Sequence, residues 1–219
     1  MKSRLAQRGG FVSTVGLALL GLAACSTSPA TRFYVLTPVA VDGVQGSRVS
    51  PVSGGMTIGI RAVELPQELD RPQIVARTGA NTVHLAEFDR WSAPLRDSVR
   101  QVIGNNLTIL LPADRVERYP WTPGTALDRE VIIEVTRFDG ELGGQCTLNA
   151  RWKVLTRTAP PSALYGHSML SEAAGRDYAA LVATQSRLLG ALSAEIARAI
   201  RTGAQTAGPS AGSIDTRLQ

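Results

Sequence analysis

The sequence is poor in the residues from which reactive and metal-binding sites are usually built. Its 219 residues include only two cysteines, Cys25 and Cys146, and two histidines, His84 and His167. No H-x₃-H or C-x₂-C spacing is present, which argues against a zinc site. The G-x-S-x-G nucleophile elbow and the Walker A phosphate loop are also absent. The sequence therefore favours a protein that is not an enzyme and that needs no cofactor or metal.

Aromatic residues and excess charge are scarce as well. Aromatic residues make up 5% of the chain, and much of the formal net charge of +5 lies at the N-terminus. Residues 1–24 hold three basic residues and no acid, which leaves 20 basic against 18 acidic residues elsewhere. Because the aromatic side chains are not interleaved with a basic stripe, nucleic-acid binding is disfavoured. A hydrophobic content of 44% with 19% charged residues excludes a wholly disordered chain and is typical of a folded domain.

Residues 1–24 have the three parts of an export signal. Lys2, Arg4 and Arg8 form a positive segment, and Phe11 to Leu22 is an apolar run of about twelve residues. As a helix this run would span ~18 Å, well short of the ~30 Å hydrocarbon core of a bilayer. We therefore interpret it as the core of a signal peptide and not as a permanent transmembrane helix.

The apolar run ends in Leu22-Ala23-Ala24-Cys25, which resembles a bacterial lipobox. In such a signal the thiol of Cys25 takes a diacylglycerol thioether, and cleavage leaves Cys25 as the first residue of the mature chain. The alternative is an ordinary secretory signal that is cleaved after Ala24. In bacterial lipoproteins an Asp after the cysteine commonly signals inner-membrane retention, so Ser26 favours the outer membrane and a domain that faces the periplasm.

Acylation of Cys25 would leave Cys146 without a partner for an intrachain disulfide, even in an oxidising compartment. We expect Cys146 to be a small buried residue of the core. The alternative is a disulfide between two chains.

Hydrophobic patterning predicts an α/β (α+β) fold, a two-layer sandwich in which two main helices cover one face of a mostly antiparallel sheet. The expected strands are Arg32–Thr37, Thr57–Val63, Gln73–Arg77, Thr82–Phe88, a hairpin within residues 130–155 and a further strand at 163–171. Residues 39–56 and Leu65–Pro72 are expected to be loops, and Val116 and Tyr119 to lie in a short extended piece.

Two stretches have the apolar periodicity of helices. Ser92 is expected to cap the first, which has Pro94 in its first turn and ends before Pro112. Asp177 is expected to open the second, and Gly203 to end it. Its apolar stripe consists of Tyr178, Leu181, Val182, Leu188, Leu189, Leu192, Ile196 and Ile200. Because this helix has few basic residues, core packing is favoured over the alternative of a membrane-surface helix.

The alternation in residues 130–155 also predicts a register for the hairpin. With Asp139 to Gly144 as the turn and Phe138 opposite Gln145, Val135 would pair with Leu148 on the apolar face. The whole chain is then expected to comprise a signal peptide at 1–24, a tether at 25–31, a domain at 32–203 and a disordered tail at 204–219.

Several segments resemble, in unbroken order, the PqiC-type or ABC-type transport auxiliary lipoprotein family. They are Arg32–Pro38, Ile58–Pro66, Leu69–Val75, Leu85–Leu95, Tyr119–Trp121, Val135–Gly140 and Leu192–Ala197. The resemblance implies an accessory subunit of an envelope-spanning lipid transport system, anchored to the outer membrane and docked to a periplasmic tunnel of MCE-domain proteins. A homo-oligomer would follow if the subunit must match a multimeric tunnel.

The same segments supply candidate partner-binding residues. Pro66 and Pro72 fix the backbone around Leu69, Asp70 and Arg71, so this loop serves either turn geometry or partner binding. Three aromatic residues complete the set, and they are Trp91, Tyr119 and Trp121.

Two other functions stay open. The first alternative is a lipid carrier that binds one apolar ligand in its own cavity. The second is a periplasmic hydrolase, which would require a critical His84 or His167.

Overall fold

A computed structural model describes residues 29–38, 56–111 and 113–205. The chain divides into two units, Met1–Ala30 and Thr31–Gln219, and the fold given below is that of the second. The signal peptide, Cys25, most of the tether, most of the loop at 39–56 and the tail from 206 onward lie outside the described residues, so those expectations stay predictions.

The described residues form eight strands and two long helices, which confirms the predicted fold class. In chain order the elements are β1 Arg32–Tyr34, β2 Met56–Ile60, β3 Gln73–Gly79, β4 Thr82–Trp91, α1 Leu95–Leu110, β5 Ala113–Arg118, β6 Arg129–Gly140, β7 Gln145–Thr156, β8 Ser162–Ala173 and α2 Tyr178–Gln205. A short 3₁₀ turn, Gln67–Leu69, lies between β2 and β3.

Strand β6 organises the sheet. One edge of β6 pairs antiparallel with β7 from end to end, and β7 pairs in the same way with β8. The other edge is shared, because β2 pairs with its first residues in parallel and β3 meets its last residue, where Ala76 opposes Gly140. Beyond these, β5 flanks β2, while β4 and then β1 flank β3. The long pairings are thus antiparallel, and the parallel ones are short.

Both helices cover the same face of this sheet and pack against each other. The stripe of α2 is buried as predicted, with Leu181, Leu189, Leu192 and Ile196 fully inaccessible to solvent, while Tyr178 is partly buried. Asn106 of α1 donates a hydrogen bond to Ser193 of α2 at 3.1 Å, a buried polar contact between the helices. Within the described residues, no helix combines the length and the apolar character needed to cross a membrane.

The predicted register of the β6–β7 hairpin is wrong. Val135 opposes Ala150 and Phe138 opposes Leu148, and an irregularity lies between Val135 and Arg137. The turn is shorter than predicted, since β6 continues to Gly140. The irregularity is a bulge that adds one residue to β6 and so turns Phe138 to the buried face.

The predicted helix ends are right at two of four positions. Helix α1 ends at Leu110, before Pro112 as predicted. Asp177 caps α2, because its carboxylate accepts a hydrogen bond from the backbone N–H of Ala180 at 2.8 Å. Ser92 does not cap α1; its backbone N–H donates to the carbonyl of Tyr34, and the residue before the helix is Pro94. Gly203 does not end α2, which continues to Gln205 and so enters the predicted tail by two residues.

Close packing explains the glycine at position 203. A Cβ placed there would lie 2.7 Å from Cδ1 of Leu164 on β8, so a larger residue would require the Leu164 side chain to shift. The glycine therefore marks contact with the sheet and not the end of the helix.

The strands also differ in length from the prediction, most clearly β1 and β5. Strand β1 has only three residues, and β5 is a full strand where a short extended piece was predicted. Strand β5 pairs in parallel with β2, a contact between distant parts of the chain that local alternation does not reveal.

Cys146 is buried, as predicted, on the inner face of β7. It is a free thiol with no exposed surface, and burial raises its pKa to about 12, with a smaller contribution from Asp139. The thiol is therefore protonated at neutral pH and inaccessible, which makes it a poor nucleophile.

We expect Leu192→Ala to lower the free energy of unfolding by about 2–5 kcal/mol, because it opens a cavity in a fully buried site. The control is Met169→Ala, since Met169 is 71% exposed, and its effect should stay within about 0.5 kcal/mol. Urea titration followed by circular dichroism measures both. Equal losses of stability in the two variants would contradict the placement of α2 against the sheet.

Candidate functional site

The predicted loop between β2 and β3 is a tightly bonded turn. Pro66, with φ −54°, precedes the 3₁₀ turn, and its carbonyl accepts a hydrogen bond from the N–H of Leu69 at 3.0 Å. The N–H of Asp70 then donates to the carbonyl of Gln67 at 3.2 Å. Leu69 is buried in the core. The loop is thus fixed at one end by proline geometry and in its middle by a buried side chain.

The last residues of this loop form one wall of an open pocket of about 360 Å³. Asp70, Arg71 and Pro72 face the segment that joins β4 to α1. The residues lining the opposite wall are Trp91, Ala93 and Pro94. A backbone hydrogen bond of 2.8 Å from the N–H of Trp91 to the carbonyl of Pro72 joins the two walls.

Charge lies at the rim of this pocket, and apolar surface lines it. Asp70 forms an ion pair of 2.8 Å with Arg96 of α1, and both side chains are about 40% exposed (39% and 45%). The Nε of Arg71 is buried and, among the described residues, has no hydrogen-bond partner.

Tyr119 and Trp121 form a separate cluster at the end of β2. Their rings meet edge to face with centroids 5.3 Å apart, and the guanidinium of Arg61 lies 5.9 Å from the centre of the Trp121 ring. Arg61 is itself held by the buried carboxylate of Glu130, which also accepts from Arg157. The carbonyl of Ile60 accepts the N–H of Tyr119 at 2.8 Å, so this cluster is tied to the sheet.

The structure thus divides the predicted partner-binding residues by exposure. Asp70, Pro72 and Tyr119 are exposed, and Pro66, Arg71 and Trp121 are partly exposed. Leu69 and Trp91 have only 5% and 6% of their surface exposed, so they support the site from beneath. Sequence reasoning missed Arg96 and Arg61, because each reaches its cluster from another element.

The two histidines do not come together. His84 lies on the helix side of the sheet in an open pocket of about 300 Å³, next to Arg77 and Tyr178. His167 lies on the other face, opposite Arg151 of β7. Among the described residues, no three His, Cys, Asp or Glu side chains are grouped so as to hold a metal ion. No arrangement of the two histidines resembles a catalytic triad.

Asp139, on β6 near the His84 pocket, has a mostly buried carboxylate that is paired with two arginines. Arg77 donates to one carboxylate oxygen at 2.6 Å and Arg137 to the other at 2.9 Å. Burial by itself would raise the pKa of Asp139, but these hydrogen bonds and charges outweigh it and hold the pKa below its usual value. The network joins β3 to β6 where their backbones meet at a single residue pair.

We expect the Asp139 network to make stability depend on acid pH. A carboxylate with a lowered folded-state pKa stabilises the native state above its unfolded pKa of 3.8, and this contribution is lost as pH falls through the lower folded-state value. Asp139→Asn should therefore lower the free energy of unfolding at pH 7 by about 1–3 kcal/mol. Below pH 4 the variant should lose less stability with falling pH than the wild type does. Urea titrations across this range measure both effects.

The control for this prediction is Glu134→Gln on the same strand. Glu134 lies 3.9 Å from Arg151, and both side chains are at least half exposed, so the change should stay within about 0.5 kcal/mol. If both variants follow the same acid profile, the Asp139 network does not act as described.

Comparisons with known proteins bear on what these sites do. The family model described as the ABC-type transport auxiliary lipoprotein component matches residues 34–197, a range that includes both candidate clusters. The intermembrane transport lipoprotein PqiC of Escherichia coli (strain K12) is 28% identical to this chain over 138 residues, which are 63% of this chain and 71% of that protein. PqiC of Shigella flexneri matches to the same extent.

Two solved structures share the fold. One is a crystal structure of a Xanthomonas campestris protein, with a TM-score of 0.60 and 16% identity, covering 80% of this chain and 98% of its own. The other is the crystal structure of an uncharacterised protein, with a TM-score of 0.63 and 19% identity, covering 78% and 99%. At these identities the likeness shows the fold alone.

Proposed function

Since the chain belongs to the family of ABC-type transport auxiliary lipoprotein components, we propose that it is the outer-membrane subunit of a system that moves lipid between two membranes. The family match over residues 34–197 is the observation that carries this proposal. One relative is named an intermembrane transport lipoprotein, and this name supports transport between two membranes of the envelope. The family is one of transport components and not of enzymes, so the subunit acts by binding and positioning.

The anchor of this subunit is the acylated thiol of Cys25. The lipobox-like segment Leu22–Cys25 and the Ser26 that follows it support acyl chains in the outer membrane, with the folded unit on the periplasmic side. Two or more acyl chains hold a protein in its leaflet almost permanently. The domain itself then needs no membrane-spanning element.

The docking surface for the periplasmic MCE-domain protein is the pocket between the loop at 66–72 and the start of α1. Its walls are apolar, and its rim carries the Asp70–Arg96 pair. An extended segment of the partner can place an apolar side chain against the exposed surfaces of Pro72, Ala93 and Pro94. Tyr119 and Trp121 provide a second contact, since aromatic residues are enriched at interfaces.

A homo-oligomer fits this function if the subunit caps a multimeric tunnel. The unlipidated domain is then expected to sediment as a symmetric assembly at high concentration. A strict monomer under those conditions would contradict this part of the proposal.

A carrier that holds lipid in its own cavity is the second candidate, and the apolar pocket beside Trp91 favours it. Its volume of about 360 Å³ is at the lower end of the range for small-molecule sites, ~300–1,000 Å³. This function predicts that lipid copurifies with the isolated domain and is lost when the pocket is filled, as in Ala93→Trp.

We expect Cys25→Ser to abolish acylation, because a hydroxyl does not replace the thiolate that takes the lipid. The measurements are fatty-acid labelling in cells and sedimentation with membranes. Wild-type protein should carry label and sediment, whereas the variant should do neither. Cys146→Ser is the control and should keep the label. A wild-type protein without label would contradict the anchor.

We expect Asp70→Lys to reduce capture of an MCE-domain protein at least about tenfold, which corresponds to ~1.4 kcal/mol. The substitution reverses one charge at the rim of the docking pocket and repels Arg96. The measurement is a pull-down from gently solubilised membranes, with the captured protein identified by mass spectrometry and quantified by blotting.

The matched control for this pull-down is Glu172→Lys. Glu172 pairs with Arg187 at 2.6 Å, with side-chain exposures of 40% and 54%, so the two substitutions break similar surface pairs. Equal capture by both variants would remove the docking surface from the proposal. Recovery of the wild-type protein alone would contradict the transport-system partner.

A further inference from the structure

Strand β8 is a long edge of the sheet that lacks the features by which proteins protect such an edge. Among the described residues, β1, β5 and β8 each pair with one strand only. Strand β1 has three residues, and β5 has six, of which four are charged. Strand β8 has twelve residues, with no proline, lysine or arginine and with Glu172 as its one carboxylate. Because short length, charge and proline keep edge strands from pairing with other chains, β8 is the end strand best suited to such pairing.

The pairing of β8 with β7 leaves the outer edge of β8 regular. All twelve residues of β8 have a partner on β7, and the register has no irregularity. The backbone N–H and C=O groups of alternate residues therefore point away from β7 along the whole strand. Within the described part of the chain, no strand pairs with this outer row. A row of this length is a template for one more strand.

Apolar side chains lie on both faces of β8. On the helix side, Leu164 and Leu170 pack on the core but are only partly buried. Tyr165 and Met169 alternate with these leucines and so share the other face. They are 76% and 71% exposed, the two largest values among the exposed large apolar side chains of the described residues. A further strand beside β8 would cover side chains on both faces at once.

We propose that β8 pairs antiparallel with β8 of a second copy of this chain, with His167 on the two-fold axis. The inference rests on the homo-oligomer in the proposed function and names an interface for it. It requires neither the acyl anchor nor the transport partner. Because the same strand lies on both sides of the axis, the contact is isologous and is complete with two copies.

The side chains of β8 select this register. Since alternate residues carry the outward backbone groups, the axis must pass through a residue and not between two residues. With His167 on the axis, Tyr165 lies opposite Met169 of the second copy. On the other face, Leu164 lies opposite Leu170 of the second copy. Moving the axis to either neighbouring residue would place a polar side chain opposite both Tyr165 and Leu164, so the register at His167 keeps the apolar cross-strand pairs.

The one carboxylate of β8 does not oppose this pairing. In the same register Glu172 lies opposite Ser162 of the second copy, so a charge of either sign at position 172 meets no other charge. Within its own chain Glu172 pairs with Arg187 of α2 at 2.6 Å. Residues 162–172 of each copy are then paired, over a length of ~37 Å that provides about ten backbone hydrogen bonds. The layer of β6, β7 and β8 thus continues into the second copy as one sheet.

The test is disulfide cross-linking of the full-length protein in mild detergent, with copper phenanthroline as the oxidant and non-reducing electrophoresis as the readout. His167→Cys places a thiol on the two-fold axis, where it faces its own copy. Met169→Cys is the matched control, because it exposes a thiol on the same face of the same strand that lies ~14 Å from its copy. Cys146 has no exposed surface, and the wild-type protein, measured alongside, gives the background from the natural cysteines. Native mass spectrometry of the wild type gives the number of copies.

We expect His167→Cys to form a cross-linked dimer at least about tenfold faster than Met169→Cys, because the paired thiols are held at high effective concentration. The double variant Tyr165→Cys/Met169→Cys should cross-link as fast as His167→Cys, since each of its thiols faces the other kind of position in the second copy. Equal rates for the two single variants would overturn the inference, because chance collision does not distinguish positions 167 and 169.

Two further outcomes separate this interface from the rest of the proposed function. An oligomer by mass whose His167→Cys variant does not cross-link would overturn the β8 interface and leave the homo-oligomer standing, whereas a monomer by both measurements would overturn both. A thiol at position 167 that neither cross-links nor reacts with a soluble maleimide would assign the edge to another segment of the same chain, and would also overturn the pairing of two copies.

Discussion

The apolar contact between α2 and the inner face of β6, β7 and β8 is the interaction on which the rest of the structure depends. The helix is 28 residues long, and its buried stripe crosses three strands that pair over nearly their full length. Leu192, Ile196 and Leu148 have no exposed surface. Each buried side chain of this size contributes about 1.5–3 kcal/mol, so the layer is stable enough to support elements that bury little of their own.

Strand β6 converts this layer into a platform for both candidate clusters. The edge of β6 that does not pair with β7 pairs with β2 at one end and with β3 at the other. The chain that connects β2 to β3 includes the loop at 66–72. The buried carboxylate of Glu130 holds Arg61 beneath Trp121, while Asp139 fixes Arg77 where β3 meets β6. Removing one member of such a buried pair leaves an uncompensated charge, so these carboxylates fix where each cluster lies.

The proposed docking role follows from this arrangement. The helix side of the molecule is filled by packing, and the described pockets are shallow openings at its margins, which suits a subunit that positions other molecules. The docking pocket and the aromatic pair lie at the ends of strands, where loops carry exposed side chains on a rigid support.

The sequence alone determined the features that depend on local order. The stripe of α2, the Asp177 cap and the family follow from residues that are close together in the chain, because periodicity and short motifs need only neighbouring positions. The export signal and the lipobox-like segment are predicted on the same basis. Tertiary structure decided the rest. The register of β6 against β7 depends on a bulge near Thr136. The parallel pairing of β5 with β2 joins segments more than 50 residues apart. The glycine at 203 lies against Leu164 of another element. Whether Leu69 and Trp91 face a partner or the core was likewise set by distant side chains, since burial depends on what packs against a residue and not on its neighbours in sequence.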